Sequence, residues 1–177
     1  MSSIKLSPGK VFPQMTLAKF GGGKVVLGRP SDPDSWQLVV VYRGKHCPLC
    51  TDYLMELNQL LPELEALHVD VVAVSADPEE KATIQLTKVN PKFDVGYDLS
   101  VEQMQALGLY ISHPRSPEEH DRLFAEPGLF MINSEGAIQI VDISNAPFTR
   151  PNLKTVLMGL KFLRDPANNY PIRGTYQ

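Results

Sequence analysis

Leu38-Val39-Val40-Val41-Tyr42-Arg43-Gly44-Lys45-His46-Cys47-Pro48-Leu49-Cys50 decides how this chain is read. Its apolar opening has the character of a strand buried on both faces of a sheet. A short polar turn follows, and a helical pattern starts at about the second cysteine. A thiol at the start of a helix meets the positive end of the helix dipole and unpaired backbone N–H groups. Both favour the thiolate, which is the nucleophilic form. Cys47 and Cys50 are the only cysteines of the chain. The first expectation is therefore redox chemistry at this pair.

Downstream, Leu49, Tyr53, Leu54, Leu57, Leu60, Leu61, Leu64 and Leu67 recur at three and four, which is an amphipathic helix. Pro62 inside it is expected to kink it. Val69 to Ser75 reads as a second buried strand. Asp77-Pro78 reads as a helix start, with Asp77 as N-cap and Pro78 at the first helical position; the helix runs to about Val89. Phe93 to Tyr97 is a short strand, and Val101 to Leu107 a third helix stopped by Gly108. Residues 111–127 are polar and read as a long surface loop. Leu129 to Ile132 and Ala137 to Ile143 form a hairpin across Asn133-Ser134-Glu135-Gly136. Asn152 to Leu163 is the last helix. Upstream, Val11 to Ala18 and Lys24 to Gly28 make a hairpin around Gly21-Gly22-Gly23, a triplet that lacks the following G-K-[ST] of a phosphate loop. These elements describe an α/β fold with a mixed central sheet flanked by helices. Residues 1–177 read as one domain with an irregular tail from 165 to 177.

The composition narrows the classes. The chain has 177 residues, 43% hydrophobic, 21% charged, with a net charge of -3. That balance points away from nucleic acid and anionic membranes. No apolar run approaches the ~20 residues of a membrane span, and the N-terminus lacks the apolar core of a secretory signal. The expected compartment is the cytoplasm, where neighbouring cysteines are catalytic or metal-binding rather than structural. A structural zinc takes about four ligands, commonly two cysteine pairs. Only one pair is present, and His46, His68, His113 and His120 show no tight spacing. The expectation is a redox site with no metal and no cofactor.

A strand ending in C-x-x-C at the head of a long helix, with a proline just before a later hairpin (Glu126-Pro127-Gly128-Leu129-Phe130), resembles the thioredoxin superfamily. The N-terminal hairpin with Gly9 and Pro13, the run Ser75-Ala76-Asp77-Pro78-Glu79-Glu80, Tyr97-Asp98-Leu99-Ser100 and Leu129-Phe130-Met131-Ile132-Asn133-Ser134-Glu135-Gly136 are similar to its peroxiredoxin-like branch. That branch is the alkyl hydroperoxide reductase and thiol-specific antioxidant group, and the match covers roughly residues 5–163. The resemblance implies a thioredoxin-like fold and reduction of peroxides or disulfides through a Cys47/Cys50 dithiol–disulfide cycle. It implies a thioredoxin-, glutaredoxin- or glutathione-type thiol as reductant, and a homodimer. It also implies a cis bond at Pro127, facing the cysteines. A sensor or exchange module on the same fold, oxidised without turnover, is the alternative.

The family's P-x-x-x-[TS]-x-x-C motif, laid on Arg43 to Cys50, puts the peroxide-attacking cysteine on Cys50. Cys47 then stands at the Thr/Ser and Arg43 at the proline. The family's peroxide arginine would fall near Pro127, where none stands; Arg150, before Pro151, could substitute for it but reads first as a surface turn residue. A thioredoxin-type overlay makes Cys47 the exposed attacking thiol and Cys50 the buried resolving one. Both orders remain open at this stage. Arg43, Lys45 and His46 are expected to supply positive charge that lowers a thiol pKa. His113 and His120 are expected to be exposed.

Overall fold

The structure is a computed structural model that describes residues 4–176. Residues 1–3, part of the segment read above for a secretory signal, and residue 177 lie outside it. The strands are β1 (Met15–Lys19), β2 (Lys24–Leu27), β3 (Trp36–Val41), β4 (Val69–Val74), β5 (Asp94–Tyr97), β6 (Ile111–Ser112), β7 (Phe124–Ala125), β8 (Gly128–Ile132) and β9 (Ile138–Ile143). The helices are α1 (Pro48–Ala66), α2 (Glu79–Val89), α3 (Val101–Ala106) and α4 (Leu153–Leu163). Seven strands form one mixed sheet in the order β2-β1-β5-β4-β3-β8-β9, and β6 pairs with β7 apart from it.

β3 is the axis of the molecule. It pairs in parallel with β4 on one side and antiparallel with β8 on the other. All six of its residues are buried. Successive strand side chains point to opposite faces. Leu38 and Val40 therefore enter a core with Leu54, Leu57, Leu86 and Leu157, under α1, α2 and α4. Val39 and Val41 enter a second core with Phe12, Met104, Leu107 and Phe130, under α3. The unbroken apolar run is explained by this double burial.

Two expectations change here, the Asp77 cap and the cis bond at Pro127. Asp77 does not cap α2; the cap position is Pro78, and no side chain bonds the helix start. The Asp77 carboxylate is drawn instead to the backbone N–H of Lys45, 2.7 Å away. The helix α1 is unbroken through Pro62. All peptide bonds of the described residues are trans, including that of Pro127. Glu126 N–H bonds Tyr110 O and Pro127 O accepts from Ser144 N–H, so the chain enters β8 extended between two partners. No helix of the described residues is long and apolar enough to cross a membrane.

Candidate active site

The turn after β3 is shaped by one glycine. Gly44 has φ +131, and a Cβ there would lie 2.5 Å from Asp77 Oδ1. Only glycine accepts both the backbone angle and the approach. From Gly44 the chain folds back: Cys47 N–H donates to Gly44 O at 3.1 Å, and Cys50 and Thr51 N–H donate to Cys47 O. Gln85 on α2 ties the turn to α1 by donating to Gly44 O at 3.1 Å and Thr51 Oγ1 at 3.0 Å.

Cys47 is thereby the N-cap of α1. Its Sγ accepts the backbone N–H of Cys50 at 3.3 Å. Pro48 at the first helical position has no N–H to offer, so the cap bond goes to the cysteine three residues on. Both thiols are free. The Cys50 thiol and backbone N–H, with Arg43 and Arg150, hold the Cys47 pKa down to about 6, against an opposing push from burial. Burial, and then the hydrogen bond to Cys47, push the Cys50 thiol up. The two positions in the C-x-x-C are thus electrostatically unlike. Cys47 is only 2% exposed and Cys50 0%. The expectation of an exposed first thiol is corrected, because the turn packs down onto the core that also holds Tyr42 and Leu54.

Two arginines flank the pair. The antiparallel register Val41↔Gly128 brings the residues beyond it, Arg43 and Glu126, opposite each other. Arg43 Nε lies 3.0 Å from Glu126 Oε2, with side chains 19% and 7% exposed. Glu126 Oε1 also accepts the Ser112 hydroxyl at 2.7 Å. Pro127 lies beside this pair, buried at the cysteine end of β3 and β8. Arg150 is the second arginine, and its reading as a surface turn residue is overturned. Its Nη1 is 3.4 Å from Cys50 Sγ, and its Nε donates to Pro147 O at 3.1 Å. Its guanidinium stacks 4.4 Å from the Tyr53 ring. Nη2 is buried without a partner.

His46 does not supply charge. Burial first, and Arg43 second, lower its pKa to about 4, so it is neutral near pH 7. Lys45 is exposed to solvent. The expectation that these two neighbours charge the site gives way to Arg43 and Arg150. His113 is exposed as expected, but His120 is 1% exposed. His120 Nε2 lies 2.9 Å from Asp77 Oδ1, and its Nδ1 accepts Arg122 N–H at 3.1 Å. His46, Asp77 and His120 are a group of side chains able to ligate a metal, with donor atoms within 4.8 Å of one another. The 111–127 segment is thus not a simple surface loop. His120, Phe124 and Glu126 are buried from it.

A cleft of about 440 Å³ opens beside Arg43, lined by His113, Arg115, Phe124, Glu126 and Phe148 among others. A larger cleft of about 740 Å³, lined by Arg29, His68 and Asp70, lies by the opposite ends of β3 and β4 and contains no cysteine. The first is not lined by a cysteine either, but it lies by Arg43, at the C-terminal end of β3.

Asp77, Glu126 and Arg150 carry no motif at fixed spacing from the cysteines. Asp77 could have been flagged by a Gly44 turn needing an acceptor. Arg150 had only its charge as a signal.

The family model described as AhpC/TSA family matches residues 8–141. No curated protein sequence matches the chain. Among solved structures, a cysteine-to-serine mutant of peroxiredoxin 6 of Arenicola marina superposes with TM-score 0.77 at 17% identity, over 92% of this chain and 75% of that one. A peroxiredoxin-like protein from Aquifex aeolicus gives 0.74 at 19% identity, over 90% and 89%. Mycobacterium bovis AhpC gives 0.75 at 18% identity, over 98% and 99%. Each shares the fold.

Proposed function

This chain belongs to the AhpC/TSA family, and from that premise we propose that it is a thiol-dependent oxidoreductase; the family motif puts the peroxide attack on Cys50, but the capping geometry favours Cys47 as the attacking thiol and Cys50 as the resolving one. The observation that carries the assignment is the capping bond, Cys50 N–H to Cys47 Sγ at 3.3 Å. It places one thiol, and not the other, where a helix start stabilises negative charge. The low pKa of Cys47 and the raised one of Cys50 follow the same division.

The steps are these. The Cys47 thiolate attacks one oxygen of a hydroperoxide, the O–O bond breaks, and the departing alkoxide or hydroxide takes a proton. Cys47 is left as the sulfenic acid. Cys50 sulfur then attacks Cys47 sulfur, and water leaves with the Cys50 proton, forming the Cys47–Cys50 disulfide. Arg150, against Cys50 Sγ, stabilises the charge that Cys50 gains as its proton departs. An external thiol of thioredoxin, glutaredoxin or glutathione type returns the disulfide to the dithiol by exchange. A dithiol that must be re-reduced suits a reducing compartment such as the cytoplasm.

Alkylation of each cysteine, followed by mass spectrometry across pH, tests the assignment. Cys47 is expected to react with a midpoint near pH 6, falling about tenfold per unit below it as the thiolate is protonated; Cys50 stays inert. With hydrogen peroxide and a thioredoxin-type recycling system, Cys47→Ser abolishes peroxide consumption. Cys50→Ser consumes a single equivalent and stops. A Cys47→Ser protein that still turns over would sink the assignment. Stoichiometric oxidation of the wild type without turnover would convert the reading to that of a redox sensor.

A further inference from the structure

We propose that His46, Asp77 and His120 form a binding site for a divalent transition-metal ion beneath the Cys47 turn. The site is independent of the thiols. Its three residues come from the turn after β3, the start of the segment after β4 and the 111–127 loop, and their donor atoms lie within 4.8 Å of one another.

Both ring nitrogens of His46 are buried with no hydrogen-bond partner. A neutral imidazole always carries one donor and one acceptor. Leaving such groups buried and unpaired is costly, so orphaned atoms of this kind call for a partner. The ring is held in place edge-on to Phe124, with centroids 4.6 Å apart, and to His120 at 5.2 Å.

The other two donors, Asp77 Oδ1 and His120 Nε2, are 2.9 Å apart. Two bonds of about 2.0–2.2 Å in tetrahedral array set ligand atoms roughly 3.3 Å apart, so this edge needs only a small opening. Asp77 Oδ2 is anchored by Lys45 N–H at 2.7 Å, which leaves Oδ1 as the ligating oxygen. His46 closes the triangle by a turn of its ring.

On the far side of the ring, His120 Nδ1 is 3.3 Å from Asp121 Oδ1. Metal-binding histidines typically donate their other ring N–H to a carboxylate or carbonyl. With the metal on Nε2, the ring proton moves from Nε2 to Nδ1 and turns from Asp77 to Asp121. Arg122 N–H then gives up its bond to Nδ1.

Two imidazoles and one carboxylate select zinc, cobalt, nickel or ferrous ions over calcium or magnesium. Three protein ligands leave a position for water. The bound ion would stand one residue from Cys47 and tie the 111–127 loop to the catalytic turn.

The thiols themselves bind such ions, so the test uses the Cys47→Ser/Cys50→Ser protein. Cobalt(II) is titrated into the metal-free protein and followed by visible absorption and calorimetry, with zinc(II) as competitor. The expected result is one equivalent of cobalt, displaced by zinc. His46→Ala, which removes a ring at the edge of the core, is expected to weaken binding by at least about tenfold, and His113→Ala to leave it unchanged. Circular dichroism checks that each variant is folded. Absence of binding by the double-serine protein, or binding equal in folded His46→Ala, overturns the proposal.

Discussion

At the scale of single residues, the two cysteines differ because their neighbours do. Cys47 receives an N–H and stands near Arg43, while Cys50 is shut into the core with Arg150 at 3.4 Å. Arg43 is itself half spoken for, since Glu126 lies 3.0 Å from its Nε. The thiolate and the carboxylate compete for one cation. Arg43→Met is therefore expected to raise the pH midpoint of Cys47 alkylation by about one unit, the linkage equivalent of ~1.4 kcal/mol. Glu126→Gln frees the guanidinium for the thiolate and is expected to move the midpoint down. Arg115→Met, on a side chain 87% exposed at the cleft rim, leaves it in place. Shifts of one sign in both Arg43 and Glu126 variants would show that the pair does not govern the thiol. Arg43 and the cysteines were legible as a local string. Glu126 was not, because it meets Arg43 only through the pairing of β3 with β8.

At the scale of elements, the site is a junction of a strand end, a turn and a helix start. The turn is held from beneath by Asp77, whose carboxylate takes Lys45 N–H and faces His120. That use of Asp77 explains why it does not cap α2, although the sequence Asp77-Pro78 has the form of a cap. A buried carboxylate is most stable where several donors converge, and here Lys45 N–H and the His120 ring meet it from two segments. Gly44→Ala is expected to destabilise the protein by about 2–3 kcal/mol, since it combines a strained φ with a Cβ driven against Asp77. The measurement is chemical denaturation. The same variant should raise the Cys47 alkylation midpoint by loosening the cap. Unchanged stability would mean that the turn relaxes without cost. The lengths of α1 and α4 were readable from apolar periodicity, and that of α2 from Pro78 at its start and Asn90-Pro91 at its end, to within a residue or two.

At the scale of the whole molecule, one strand joins two cores. β3 feeds Leu38 and Val40 to the helical face that holds the cysteines, and Val39 and Val41 to the face under α3. Damage on one face is expected to reach the other through this shared strand. We propose that the described chain unfolds as one domain. Leu54→Ala, at a site 0% exposed, is expected to cost about 2–5 kcal/mol. It should lower a single thermal transition seen alike by far-ultraviolet and near-ultraviolet circular dichroism. Two separated transitions would contradict the single-domain reading.

The sequence by itself determined the order of elements apart from β6 and β7, which lie in the segment read as a loop, and with it the α/β class, the place of the dithiol and the family resemblance. These rest on local information: apolar periodicity, glycine and proline positions, and a cysteine pair at a strand-to-helix junction. Only the tertiary structure decided what surrounds the thiols. Arg150 reaches Cys50 across 100 residues, His120 meets Asp77 across 43, and Glu126 meets Arg43 through strand register. It also decided that His46 is neutral and that Pro127 is trans. Charge and pKa depend on burial and on distances through space, and neither is set by spacing along the chain. The C-x-x-C marked where chemistry occurs; the fold assigned each of its two sulfurs a different pKa.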